Sequence, residues 1–310
     1  MLIVLPIWAL PWNAAVKLGR FYGTVAGLLW PHARRVSMIN LRRALGVDHA
    51  AARRLTSEVF AHLGDALAEG VQASRRRGFA ERLDFRYEDP ALARSVLEDP
   101  RPKLFVMAHL GSWELTAALL AERFGERGAA LVRGIDNPFL DRLVRRGRLA
   151  AAGQWIEKRG GLGLALRRLR AGDSVAVLLD ENAGRRGLFV DFFGRPASTH
   201  RSAALLALAS GAQLLAGGLV KHPEHPRNAG RTFLLAAIEP DPALAGDAAV
   251  FDLTQRLTAQ LERWIRERPG EWRWIHWRWR ERPDGSSERY GRAELAAEFS
   301  AERASSGRRA

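Results

Sequence analysis

Residues Leu104 to Glu114 read LFVMAHLGSWE, and the fold is decided there. The run from Leu104 to Ala108 is unbroken, apolar and too short for a helix, which predicts a buried strand. His109 ends that strand. Gly111 and Ser112 then stand where a helix would start, and Glu114 falls in its first turn. Strand, turn and helix in that order form the repeating unit of a layered α/β sheet.

Outward from this stretch the same alternation continues. Upstream, Leu55, Val59, Phe60, Leu63 and Leu67 recur at helical spacing within an amphipathic helix from Ala50 to about Arg75. Downstream, strands are expected at Ala129 to Val132, Ser174 to Leu179, Gln213 to Val220 and Thr232 to Ile238. Helices are expected over Trp113 to Phe124, Pro138 to Ala151, Leu162 to Arg170, Ser202 to Ser210 and Leu253 to Arg266. The expected fold is α/β, a central mixed, mostly parallel sheet flanked by helices, behind an N-terminal apolar and amphipathic helical segment. The segments are 1–32, a body over 33–283, and a loose tail over 284–310 rich in Ser, Gly, Arg and Glu.

The N-terminal segment has no charged side chain from Met1 to Val16 and a second uncharged stretch from Phe21 to His32. Each is shorter than the roughly 20 residues a spanning helix needs, and Pro6 and Pro11 interrupt the first. An interfacial segment fits better, with Trp8, Trp12 and Trp30 at the boundary and Arg34, Arg35, Arg42 and Arg43 behind it. No Lys or Arg precedes the apolar run, which argues against a secretory signal.

Across 310 residues, 48 Lys plus Arg stand against 34 Asp plus Glu, a net charge of +14. That surplus predicts an anionic partner: nucleic acid, an anionic membrane surface or an acidic carrier protein. The chain has no Cys, which excludes a disulfide framework, a thiolate metal site and a Cys nucleophile. No metal is expected either: His222, Glu224 and His225 lie among prolines in a turn. The Gly160, Gly161 and Gly163 cluster lacks the Lys-Ser/Thr of a phosphate loop.

In α/β sheets, ligands bind at the carboxyl ends of strands, which is where His109 sits. With Glu114 five residues on, it can form a dyad in which the carboxylate holds one ring nitrogen and the other takes a proton. Spacing alone is weak evidence, because eight His and acids at about one residue in nine give roughly one such pair by chance. A second pair, His276 and Glu281, lies in EWRWIHWRWRE without a preceding strand or a turn glycine, and is read as packing or surface contact. His62, on a helix face, is read as structural.

Further motifs follow in order: VRGIDNPFLDRLVRRGR from Val132 to Arg148, SVAVLLDENAGRRGLFVDFFGRPAST from Ser174 to Thr199, and the Trp/Arg segment before Arg282 and Pro283. Together with HLGSWE, these make the chain, from about residue 10 to 285, resemble the bacterial lysophospholipid-type acyltransferases of lipid A biosynthesis, the lauroyl and myristoyl transferases. The resemblance implies that His109 is the base acting on an acceptor hydroxyl and Glu114 its orienting partner. It also implies that Arg148 steadies an oxyanion or a phosphate and that Asp180 is the acidic residue after a central strand. Arg133, Asp136 and Asn137 would line the same cleft. Glu181 is the alternative for the acidic role, and Arg185 with Arg186 makes the following loop unusually basic.

The implied reaction is direct transfer from an acyl thioester co-substrate, on acyl carrier protein or coenzyme A, to a phosphorylated glycolipid acceptor, with no bound cofactor. The implied place is the inner, cytoplasmic membrane, with an anionic membrane surface as partner and the catalytic body facing the cytoplasm. Other acceptors, a lysophospholipid or another glycolipid, fit the same residues. A basic nucleic-acid-binding protein using Trp272 to Arg280 as a stacking platform is a rival from another class. That rival leaves the apolar N-terminus and His109 idle, so nucleic acid is not expected as a partner.

Overall fold

A computed structural model of the chain describes residues 4–75, 83–132, 154–157, 160–222 and 230–288. Four helices come first: α1 (Val4–Ala9), α2 (Trp12–Leu29), α3 (Pro31–Leu45) and α4 (His49–Arg75). Next come β1 (Phe85–Tyr87), α5 (Pro90–Glu98), β2 (Lys103–Met107), α6 (Trp113–Phe124), β3 (Gly128–Val132) and β4 (Gln154–Glu157). The rest is α7 (Leu162–Arg170), β5 (Ser174–Leu178), β6 (Leu188–Asp191), β7 (Pro196–Thr199), α8 (Ser202–Ser210), β8 (Gln213–Lys221), β9 (Arg231–Ala237) and α9 (Gly246–Glu267).

The main sheet has the order β1-β9-β8-β2-β5-β3-β4, parallel throughout except for the antiparallel β8/β9 pair. The expected mixed, mostly parallel α/β sheet is therefore what the chain forms. β2 is buried on both faces because its side chains alternate between two cores. Leu104 and Val106 join the core under α8 and α9, while Phe105 and Met107 join the one under α5 and α6. That two-sided burial is why the strand reads as an unbroken apolar run.

Several elements have no counterpart in the sequence-based expectation. β1 spans three residues and β4 four, below the length at which periodicity speaks. β6 and β7 form a separate antiparallel hairpin, whose turn carries Phe193 and Gly194 at φ +60° and +71°. α9 starts at Gly246 rather than at residue 253, because Gly246 and Asp247 mask its first turn. The helix expected over 138–151 and the tail beyond residue 288 lie outside the described residues.

α2 inverts the usual amphipathic arrangement. It buries its smallest side chains, Ala15, Gly19, Gly23 and Gly27, and turns Phe21, Leu28 and Leu29 outward, the last two 69% and 77% exposed. A Cβ added at Gly19 would collide with Gly64 of α4, and one at Gly23 with the Phe60 carbonyl. Backbone therefore packs on backbone there, and the N-terminal segment is joined to the α/β body through α4. Among the described residues no helix is long and apolar enough to cross a membrane.

Candidate active site

β2 and β5 are neighbouring parallel strands, and their register sets Met107 beside Leu178. Two residues past each strand end, His109 and Asp180 therefore meet. His109 Nδ1–H donates to Asp180 Oδ1 at 2.9 Å, and the His109 backbone N–H donates to Oδ2 at 2.8 Å. A third donor, Trp272 Nε1–H, reaches Oδ2 at 2.8 Å. Burial alone would raise the Asp180 carboxyl, but the His109 charge and hydrogen bonds outweigh it, with help from Arg273. The group is held well below the usual carboxylate range.

The pairing differs from the one that spacing leads one to expect. The nitrogen assigned to Glu114 by spacing is held by Asp180, because sheet register brings a residue from the next parallel strand closer than the first helical turn does. Glu114 stands in the first turn of α6 with its side chain against Gly70 of α4. With Nδ1–H committed to Asp180, the ring is the tautomer whose Nε2 carries a free lone pair. Nε2 points toward Glu181, whose Oε1 lies 4.0 Å away and is ion-paired with Arg273. The edge of the Trp113 ring system packs against the imidazole at 5.5 Å between centroids.

The turn that carries His109 is fastened on two sides. Gly111 takes φ +60°, and a Cβ there would collide with the Leu219 carbonyl of β8, so only glycine fits. Ser112 N–H donates to that same carbonyl at 2.7 Å. On the other side Gly111 N–H donates to Glu271 O at 3.0 Å and Arg273 N–H to His109 O at 3.1 Å, which makes Leu110 and Trp272 an antiparallel bridge. The segment after α9 thus acts as a short added strand along the catalytic turn.

Beneath the turn, one face of α4 presents His62, Asp65 and Glu69, all buried. Asp65 pairs with Arg20 of α2 and Lys221 of β8, and Glu69 pairs with Arg231 of β9 and accepts from Ser112 Oγ. His62 Nε2–H donates to the Gly111 carbonyl at 2.9 Å. Burial, reinforced by Lys221, Arg231 and Arg20, pushes His62 down to about 3. Its neutral form is the native one, whereas the unfolded chain protonates it below its ordinary value of 6.5. The contribution is complete above pH 6.5 and is lost as the pH falls toward 3.

Between pH 7 and 5 this one group should remove about 2 kcal/mol of stability. His62→Gln keeps a donor for Gly111 and should flatten that part of the curve in chemical denaturation; an unchanged slope would refute the assignment.

Of the other candidates, Glu181 lies beside His109, and Arg185 is exposed on the loop that follows. Arg133, Asp136, Asn137 and Arg148 lie outside the described residues. No group of His, Asp and Glu suited to a metal ion occurs among the described residues. Sequence reasoning missed Trp272 and Arg273, which it read as packing or surface contact. It read His276 and Glu281 as a non-catalytic pair, and each has its own partners: His276 Nε2 accepts from Asn182 N–H at 3.0 Å, and Glu281 accepts from Ser287 Oγ at 2.6 Å. Burial pushes His276 down to about 4, so it is neutral, as an acceptor nitrogen must be.

The family model for bacterial lipid A biosynthesis acyltransferases matches residues 1–281. A lipid A biosynthesis lauroyltransferase of Escherichia coli (strain K12) is 29% identical over 64% of this chain and 62% of its own length. A lipid A biosynthesis palmitoleoyltransferase of the same strain is 26% identical over 93% of this chain and 92% of its own. Among solved structures, that of the 1-acyl-sn-glycerophosphate (LPA) acyltransferase PlsC from Thermotoga maritima shares 14% identity. It covers 83% of this chain and 99% of that one at a TM-score of 0.39.

Proposed function

The chain belongs to the bacterial lipid A biosynthesis acyltransferase family, and from that premise we propose that it moves a fatty acyl chain from an acyl thioester to a hydroxyl of a lipid A precursor, with His109 as the base. The observation that carries this reading is the His109 imidazole, with Nδ1–H committed to a buried Asp180 and Nε2 left as an acceptor.

Nε2 removes the proton of the acceptor hydroxyl as its oxygen attacks the thioester carbonyl. The tetrahedral intermediate collapses, the carbon–sulfur bond breaks, and the imidazolium returns the proton to the departing thiolate. Asp180 fixes the tautomer and offsets the charge that His109 gains in between. No acyl-enzyme is needed, since the thioester is already activated. Arg148 in the oxyanion or phosphate role, with Arg133, Asp136 and Asn137 along the cleft, remains part of this proposal. Acyl carrier protein is the favoured donor, because it is acidic and the chain carries +14.

The outward face of α1 and α2, with Leu5, Phe21, Leu28, Leu29 and Trp30 exposed, supports seating on the cytoplasmic face of the inner membrane. Burying such side chains in a headgroup layer costs the fold nothing, because none of them fills its core.

The test is acyl transfer in vesicles containing anionic lipid and a lipid A precursor, with acyl carrier protein thioester supplied in solution. The precursor should gain one acyl mass by mass spectrometry, and the protein should float with the vesicles. Replacing Phe21, Leu28 and Leu29 by Ser should leave it in the soluble fraction. Transfer to a lysophospholipid but not to the precursor would reassign the acceptor, and flotation of the triple variant would move the membrane contact elsewhere.

A further inference from the structure

The Glu181–Arg273 pair is unused by the mechanism above, and it occupies the approach to the reacting nitrogen. Glu181 Oε1 lies 4.0 Å from His109 Nε2, and the same oxygen is bound by the Arg273 guanidinium. Both side chains are partly exposed, at 29% and 25%. Arg273 is anchored by its own backbone, which donates to the His109 carbonyl. The cation and the base thus sit on the two sides of one short antiparallel bridge, and their spacing is set by main chain.

A carboxylate beside an imidazole favours the imidazolium and takes up its Nε2–H. Left alone, Glu181 would hold the proton where the acceptor hydroxyl must bind. Arg273 draws that carboxylate to itself, and it also opposes burial in keeping Glu181 ionised. We propose that Arg273 is a positioning residue for the reaction: it holds the Glu181 carboxylate off His109 Nε2 and so keeps that nitrogen open to the acceptor hydroxyl.

Other groups facing His109 among the described residues complete the balance. β5 leads into Asp180 and Glu181, and α6 brings Trp113, while the side chain of Glu114 lies against Gly70 of α4. The C-terminal segment adds Arg273 and neutral His276, and α4 adds His62 behind Trp113, 6.4 Å from it. Asp180 already occupies the Nδ1 side. A second carboxylate bonded on the Nε2 side would occupy the place that the acceptor hydroxyl needs.

This inference rests on His109 being the base, and its test separates the two. kcat/KM for acyl transfer is measured from about pH 5 to 9 on the full chain in the same vesicles, for the parent, Arg273→Gln, Arg273→Lys, Glu181→Gln and the Arg273→Gln/Glu181→Gln double variant. Arg273→Gln should move the acid limb up by about one pH unit, and Arg273→Lys should restore most of the parent profile. Glu181→Gln should move the limb down. In the Glu181→Gln background, Arg273→Gln should produce less than half its shift, since only the direct effect of the cation remains.

An unmoved acid limb in Arg273→Gln, or an equal shift in both backgrounds, overturns the role of Arg273 while leaving His109 as the base. Full activity in His109→Ala overturns the underlying reading instead. If thermal melting shows Arg273→Gln unfolded, Glu181→Gln and Arg273→Lys carry the test: an acid limb unmoved by Glu181→Gln refutes the proposal.

Discussion

Asp180→Asn is expected to lower acyl transfer by about 10³-fold or more with little change in fold. The carboxylate accepts three hydrogen bonds, from His109 Nδ1, the His109 backbone and Trp272 Nε1. An amide keeps one acceptor oxygen, which can satisfy the backbone and indole donors on the Oδ2 side. It turns its NH₂ toward Nδ1, however, and a donor facing Nδ1 selects the tautomer with hydrogen on Nε2. The lone pair that should receive the acceptor's proton is then gone. Nitrogen NMR of the His109 ring checks the cause directly. Asp180→Asn should exchange the two ring signals, whereas Glu114→Gln should leave Nδ1 as the protonated nitrogen. The opposite pattern would return the orienting role to Glu114. Asp180→Ala should also destabilise the protein, by about 1–3 kcal/mol for each donor left buried without a partner.

His109→Ala is the other large effect. Loss of the base should cost about 10²–10⁴-fold in the chemical step, read as a fall in kcat with the KM for the thioester nearly unchanged. The fold should survive, because Asp180 retains the backbone N–H of residue 109 and the Trp272 indole. A melting temperature close to that of the parent, together with silent chemistry, is the expected result. Full retained transfer would show that the base lies elsewhere.

How much of this was readable in the sequence depends on distance along the chain. β2 was readable because burial on both faces makes it uniformly apolar, and His109 was readable because it stands at that strand's end. Asp180 was picked out as an acidic residue after a strand, but not as the partner of His109. Spacing compares residues a few positions apart, whereas the two are joined across 71 positions by the register of β2 and β5. Glu114, the nearest carboxylate in sequence, is the one that spacing points to. The Trp/Arg segment failed differently. Trp272, Trp274 and Trp279 are all core residues, but Trp272 also reaches Asp180 through its indole N–H, and its neighbour Arg273 reaches Glu181. The same buried side chain serves both packing and the site, and composition cannot register the second role.

The inverted burial of α2 was readable only in half. An apolar stretch rich in tryptophan and leucine signals an interface, yet the inward choice of Ala15, Gly19, Gly23 and Gly27 follows from the backbone approach to α4. That approach is a tertiary demand. The large residues are outward because the inward side has no room for them.

The bridge between Leu110 and Trp272 has a consequence for when the protein acquires activity. His109 emerges from the ribosome early, Asp180 later, and Trp272 another 92 positions after that. Only with Trp272 and Arg273 does the turn gain its second strand and Asp180 its last donor. A nascent or prematurely terminated chain that stops short of residue 272 lacks the final pieces of the reacting centre. Products truncated before residue 272 are therefore expected to show no acyl transfer, which an assay of a chain ending short of Trp272 checks.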